Sequence, residues 1–315
     1  MVEFDEQAFR RRIRSCIAEH APSLPYRVGT RSPEDAHEAA VLRDWSRQLY
    51  AAGFYGADWP EALGGRNDYH AVEELLVTEE LAKARVPVPV GSGSLAANAL
   101  LHFGTADQQA TYLPKIRSYE HVWCQLFSEP DAGSDLAGMR TTAERDGDDF
   151  VVNGQKVWST NAAFSDMGYL LARTDPSVAK HAGISAFALH MSLPGITVRP
   201  LREMTGTSDF NEVFFDDVRV PADALIGDVD NGWHIATTSL ASERAGVGAL
   251  VIRLRQNLDA LITFAKSTSH GAGTVADDPI IRQRLADAHA RVEIATLVSQ
   301  AAMARRLVGE HREAD

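Results

Sequence analysis

The residues Cys124–Asn161, CQLFSEPDAGSDLAGMRTTAERDGDDFVVNGQKVWSTN, alternate short β-type runs with turn clusters. Leu126–Phe127 ends one strand, and Ser128–Asp135 then packs carboxylates, a proline, a glycine and two hydroxyls into a tight reversal. Pro130-Asp131 and Gly133-Ser134 supply the turn residues, leaving backbone N–H groups free to face an anion or the polar edge of a ring. Phe150–Val152 and Lys156–Trp158 read as two strands joined through Asn153-Gly154, a strong short hairpin signal. On the second of these, strand alternation puts Trp158 and Thr160 on one face, an aromatic plate beside a hydroxyl.

Neither a G-x-x-x-x-G-K phosphate loop nor a G-x-G-x-x-G fingerprint occurs anywhere in the chain. Instead SEPDAGSD at 128–135, T-x-A at 141–143 and NGQKVWST at 153–160 agree in type, order and spacing with one family. The stretch resembles the middle domain of the acyl-CoA dehydrogenases, which bind FAD and desaturate acyl-CoA thioesters. Two later features extend the resemblance: Phe210-Asn211-Glu212-Val213-Phe214-Phe215 with Val218-x-Val220-Pro221, and the approach from Gly227 to Gly232-Trp233.

The 315 residues suffice for two or three domains, and the 45% apolar content is ordinary for a globular protein. A formal net charge of −12 argues against a nucleic-acid surface. Arg10–Arg12 with Arg14 reads as a solvated helix face. Cys16 and Cys124 lie far apart without metal-ligand spacing, so neither a disulfide framework nor a zinc site is expected. The N-terminus has no apolar signal core and no segment reaches the length of a membrane span, which makes the cytoplasm the default location.

The expected fold is α+β in three parts: an all-helical domain over 1–120, a flavin-binding β-barrel or sandwich over 121–229, and an incomplete helical bundle over 230–315. Helical periodicity covers 3–20, 33–52 and about 70–84, and Trp59 reads as a buried anchor in the turn-rich link Gly53–Gly65. Thr105-x-x-Gln108 predicts a capping box opening a helix that ends by Pro114. Ser92 and Ser94 either touch an acyl chain or simply pack a helix. Strands are predicted at Gly168–Arg173, Ile184–Leu189, Ile196–Val198 and Glu212–Val220, with Asn211 and Glu212 satisfying backbone groups at a strand entry. Two long amphipathic helices follow, one from Val247 to about Lys266 and one opening at Pro279. Their apolar stripes want partners: either the chain is truncated, or another polypeptide completes the bundle.

Desaturation of a thioester removes a proton α to the carbonyl while hydride leaves the β-carbon, which requires a carboxylate base, an electron acceptor and donors on the carbonyl. The resemblance implies that Ser128 hydrogen-bonds the flavin's pyrimidine edge, Trp158 covers the ring, Thr160 reaches N(5) or its neighbouring oxygen, and Ser134 contacts the FAD pyrophosphate. It implies Glu243 as the base and Arg244 as a contact to the CoA portion. On the residues alone, a mid-helix glutamate such as Glu243 is most often a solvated surface position. An electron-transfer flavoprotein is the implied electron acceptor and a homo- or hetero-oligomer the implied assembly. The loop after Ser267 lacks the Arg-x-x-Phe-Gly that relatives use on the pyrophosphate; Arg282 and Arg284 stand just beyond it. A non-catalytic subunit beside a complete partner, or a flavin oxidase or monooxygenase on the same fold, are the alternatives.

Overall fold

The computed structural model describes residues 4–24, 32–243 and 247–307, which form two compact units. The larger contains residues 20–67 and 87–243. The smaller contains 1–19, 68–86 and 244 onward.

In the larger unit, α2 (Ala36–Ala51), α4 (Gly93–Phe103) and α5 (Ala106–Arg117) precede the strands. Asp35 caps α2, its side chain accepting from the Glu38 N–H, and the predicted capping box opens α5 through Thr105 and Gln108. Pro114 does not end that helix but sits inside it, and one further turn follows to Arg117. The proline withdraws its N–H and its ring crowds the carbonyl one turn earlier, which strains the helix there without ending it. Trp59 is buried, as an anchor should be.

The strands β1 (Trp123–Leu126), β2 (Thr142–Asp146), β3 (Asp149–Lys156), β4 (Met167–Arg173), β5 (Ile184–His190), β6 (Ile196–Leu201), β7 (Phe210–Pro221) and β8 (Leu225–Ile226) form one eight-stranded sheet. Its order is β6-β7-β3-β2-β4-β5-β8, with β1 pairing β4 in parallel. Alternation along β4 sends Tyr169 and Leu171 to a core shared with α4, α5 and the later helix α6 (Gly232–Glu243), and Leu170 and Ala172 to a second core. This second core is built from strands far apart in the sheet order. Phe150 of β3 meets Phe187 of β5 at 5.1 Å between ring centroids, so the sheet curls around it.

Asn153-Gly154 does not make the predicted hairpin. β3 runs through both residues, and the reversal lies instead at Gly147 between β2 and β3. The pair marks a bulge in the pairing of β3 with β7, where the register shifts between Val152 and Gly154. A Cβ on Gly154 would lie 2.6 Å from Thr141 Oγ1, so the close approach of the two chains requires glycine. Asn153 stays on the strand and exchanges hydrogen bonds with Asp217 of β7.

The smaller unit is helical: α1 (Glu6–His20), α3 (Glu73–Ala84), α7 (Val247–Ser267) and α8 (Pro279–Leu307), with a short hairpin of β9 (Ser269–His270) and β10 (Gly273–Thr274) between the last two. The arginines of α1 are not one solvated face. Arg10 donates to Glu79 and Glu80 of α3, and Arg14 also reaches Glu80, while Arg11 and Arg12 are exposed. Among the described residues no helix is long and apolar enough to cross a membrane.

Candidate functional site

The segment Ser128–Thr141 is held by a buried ion pair. Lys156, the last residue of β3, donates from Nζ to Glu129 Oε1 at 2.8 Å and to the Phe127 carbonyl at 2.9 Å. Glu129 in turn accepts from the backbone N–H groups of Arg140 at 2.6 Å and Thr141 at 3.0 Å, which draws the two ends of the loop together. Burial works against both charges. In Glu129 the Lys156 charge and these donors outweigh it and hold the carboxyl below its ordinary range, whereas burial pulls the Lys156 ammonium down despite its partner. Arg173 of β4 adds a second clamp, donating to the carbonyls of Ala137 at 2.6 Å and Met139 at 3.2 Å. Neither clamp was foreseen from the sequence. The available signal was Lys156 itself, a charge at the same strand parity as the inward-facing Phe150 and Val152.

The last tie between loop and strand is the Val157 N–H on the Ser128 carbonyl, 2.9 Å. Beyond it the chain leaves β3, so alternation no longer governs Trp158 and Thr160. Trp158 lies in the left-handed region at φ +61° and Asn161 at φ +63°. For a residue with a side chain this conformation is unfavourable by about 1–2 kcal/mol, and a bulky aromatic held there points to a constraint from its surroundings. The effect is to turn the indole outward: Trp158 is 58% exposed, with the Phe210 ring edge-on at 5.8 Å between centroids. Thr160 is half-buried.

Around this plate stand unused polar groups. Among the described residues the hydroxyls of Ser128, Ser134 and Thr160 have no hydrogen-bond partner, and Ser134 is exposed at the loop tip. Buried Ser159 Oγ and Asn161 Oδ1 are likewise unsatisfied. A Cβ on Gly133 would meet nothing within 4 Å, so the backbone beside Ser134 is open to close approach. An exposed indole face, free hydroxyls and an open glycine fit a flat heteroaromatic ring joined to a phosphate-bearing chain.

The helix α6 is fixed to the sheet at two points. Thr174 Oγ1 donates to Asp230 at 2.5 Å and the Asp230 N–H donates to Ser185 Oγ at 2.8 Å, just before the helix begins. Further along, the Tyr169 hydroxyl meets Ser239 Oγ at 3.4 Å. Glu243 is the last residue of α6; its side chain and the whole of Arg244 lie outside the described residues. Ser92 and Ser94 sit at the start of α4 rather than within its packed length, the Ser92 N–H donating to the Trp123 carbonyl. Arg282 and Arg284 are exposed on the first turns of α8. Asn211 does satisfy a backbone group at the strand entry, its Nδ2 donating to the Ser159 carbonyl, whereas Glu212 accepts from the side-chain amide of Gln155 instead.

Three family models match in succession: the acyl-CoA dehydrogenase N-terminal domain over 4–120, the middle domain over 124–218 and the C-terminal domain over 230–315. Acyl-CoA dehydrogenase IpdE1 of Mycobacterium tuberculosis (strain ATCC 25618 / H37Rv) is 40% identical over 287 residues, 89% of this chain and 73% of the relative. The chain belongs to the acyl-CoA dehydrogenase family. The solved Tcur3481-Tcur3483 steroid ACAD superposes with a TM-score of 0.83 at 28% identity, covering 98% of this chain and 79% of that one. The ChsE4-ChsE5 complex from Mycobacterium tuberculosis gives 0.80 at 30% identity, over 97% and 78%. The fold is thus that of the acyl-CoA dehydrogenases, a family of flavin-dependent oxidoreductases, with helical, sheet and helical parts in sequence.

Proposed function

We propose that the protein is an FAD-dependent acyl-CoA dehydrogenase, acting through α-proton abstraction and β-hydride transfer, and that residues 1–120, 121–229 and 230–315 are its three domains. The observation that carries this reading is the Trp158 turn: an exposed indole held in an unfavourable backbone conformation beside hydroxyls with no partner among the described residues. In this reading Trp158 stacks on the isoalloxazine, Ser128 donates to its pyrimidine edge, Thr160 to the N(5) edge, and Ser134 with the open backbone at Gly133 meets the pyrophosphate. FAD, when bound, accepts the hydride that leaves the β-carbon. Glu243 takes the α-proton and Arg244 meets the CoA portion. The steroid ACAD neighbour favours a bulky, ring-bearing acyl group as substrate, turned over in the cytoplasm with an electron-transfer flavoprotein as acceptor.

Association with a second chain belongs to the same reading. Leu250, Leu254, Leu261 and Phe264 on α7 and Ile294, Leu297 and Val298 on α8 are all exposed, and the ChsE4-ChsE5 neighbour is itself a complex. Sedimentation should show an oligomer; a soluble monomer would contradict this part.

The test of the chemistry is Glu243→Gln. With FAD bound and a panel of acyl-CoAs, it should leave flavin and ligand binding intact while slowing substrate-dependent flavin bleaching by about 10²–10⁴-fold. Bleaching at the wild-type rate would remove Glu243 as the base. A purified wild-type chain, together with its partner, that takes up no FAD would overturn the reading as a whole, and oxygen consumption during turnover would assign it to the oxidases.

A further inference from the structure

We infer that Asn211 is a positioning residue for the flavin-facing indole, locking the left-handed turn at Trp158. This rests on the reading above that Trp158 covers the flavin.

The hydrogen bonds that fix the Trp158 turn lie on its two neighbours. On one side, Val157 donates to the Ser128 carbonyl. On the other, Ser159 is gripped three times by Asn211: the Ser159 N–H donates to the Asn211 carbonyl at 3.1 Å, the Asn211 N–H donates to the Ser159 carbonyl at 3.1 Å, and Asn211 Nδ2 donates to that same carbonyl at 2.9 Å. The first two bonds are an ordinary antiparallel exchange that any residue at 211 would make. The third depends on the side chain, which is only 2% exposed. It gives the Ser159 carbonyl two close donors from Asn211, with the Ala162 N–H a longer third at 3.5 Å, so the peptide between Ser159 and Thr160 is held chiefly by Asn211.

Next to Ser159 the other backbone ties are long: Ala162 donates back to the Ser159 carbonyl at 3.5 Å and Asn161 to the Asp209 carbonyl at 3.3 Å. Trp158 and Asn161 are both left-handed, β3 ended at Lys156, and a backbone of this kind persists only where its surroundings over-determine it. Asn211 is the side chain that does so, and its neighbour Phe210 sets its ring edge-on against the indole from the same strand, β7. The dipeptide Phe210-Asn211 therefore controls both the backbone and the ring of Trp158. It is anchored in turn, because Glu203 Oε1 accepts from the N–H groups of Asp209 at 2.8 Å and Phe210 at 3.2 Å. Among the described residues the buried Asn211 amide oxygen has no partner, so a hydrophobic residue of the same size removes the Nδ2 bond without stranding any further group that Asn211 satisfied.

The test labels the chain, in whatever complex it occupies, with 5-fluorotryptophan and records its ¹⁹F spectrum without flavin. Trp45, Trp59, Trp123, Trp158 and Trp233 give five signals, and Trp158→Phe assigns the one from the turn. Asn211→Leu, nearly isosteric, and Asn211→Ala should each shift or broaden the Trp158 signal while the other four stay in place. With FAD added, both variants should bind about tenfold more weakly, a change of one decade in affinity. In the Trp158→Ala background Asn211→Leu should weaken binding no further. An unmoved Trp158 signal overturns the inference, as does movement of all five signals in both variants, which would make Asn211 a residue of general fold stability. If the wild type takes up no FAD, the flavin reading fails while the fluorine spectrum still decides whether Asn211 locks the turn.

Discussion

Lys156 has no exposed surface, and its ammonium lies 2.8 Å from a carboxylate oxygen of Glu129, twenty-seven residues earlier in the chain. The pair ties the end of β3 to the loop that carries Ser128 and Ser134, so its loss acts on the candidate site as well as on the fold. Removing one partner of a buried pair strands the other charge, and Lys156→Met should destabilise by about 3–5 kcal/mol. Glu129→Gln added to it removes the stranded charge, and its single amide oxygen keeps one of the two backbone donors that Glu129 holds on separate oxygens, Arg140 on Oε2 and Thr141 on Oε1. The double variant should recover at least about 1 kcal/mol of that loss, read from urea midpoints. A single variant as stable as wild type would show that the pair does not hold the loop.

The left-handed backbone at Trp158 makes an unusual ordering of variants. At most positions alanine is the more stable replacement, but here glycine adopts φ +61° freely and alanine does not. Trp158→Gly should be more stable than Trp158→Ala by about 1 kcal/mol, and both should lose most flavin affinity. Chemical denaturation of the two variants side by side reads the difference without flavin. The usual ordering, with alanine ahead, would mean that the turn relaxes when the indole is removed.

Two glycines of the larger unit make opposite predictions. A Cβ on Gly232 would lie 2.6 Å from the Ser185 backbone, where α6 leaves the sheet, and the Ser185 and Ile184 atoms it meets are main chain that cannot swing away. Gly232→Ala should destabilise by about 1–3 kcal/mol and displace the helix that ends in Glu243. A Cβ on Gly133 meets nothing, so Gly133→Ala should change stability by less than about 0.5 kcal/mol, yet weaken FAD if the pyrophosphate approaches there. Equal FAD affinity in wild type and Gly133→Ala would move the phosphate site elsewhere.

The sequence and the structure agree best where one period governs a segment. The continuous apolar runs of β4 and β5, buried at nearly every position, and the alternation over the first half of β7 announce themselves because one burial rule holds along each of them. Disagreement begins where a second chain decides the local geometry. Asn153-Gly154 carries the residue types of a hairpin turn, but β7 lies alongside and converts their freedom into a bulge. Alternation puts Trp158 and Thr160 on one face, which fails because the strand has ended and Trp158 itself is left-handed. The hydroxyls of the site were legible through the family pattern. Lys156, Glu129, Arg173 and Asn211, which hold those hydroxyls in place, were not, because each works through a partner distant in sequence.

The smaller unit gives a prediction that needs no cofactor. Glu80, with its side chain only 4% exposed, accepts from Arg10 at 2.7 Å and from Arg14 at 2.6 Å. The Arg14 hydrogen bond, opposed by burial and reinforced by Arg10 and Lys83, lowers the Glu80 carboxyl from 4.5 to about 2. A carboxyl lowered on folding gives stability that is fully present above its unfolded value and is lost as pH falls through its folded one. The window is therefore between about pH 4.5 and pH 2. Wild type should exceed Glu80→Gln in thermal midpoint at pH 5.5, and the gap should narrow steadily as the pH is lowered into that window. Comparing the two proteins cancels the other acid-titrating groups they share. A gap that stays constant across the window would mean that Glu80 is already protonated in the folded protein, and that Arg10 is held by Glu6 and Glu79 instead.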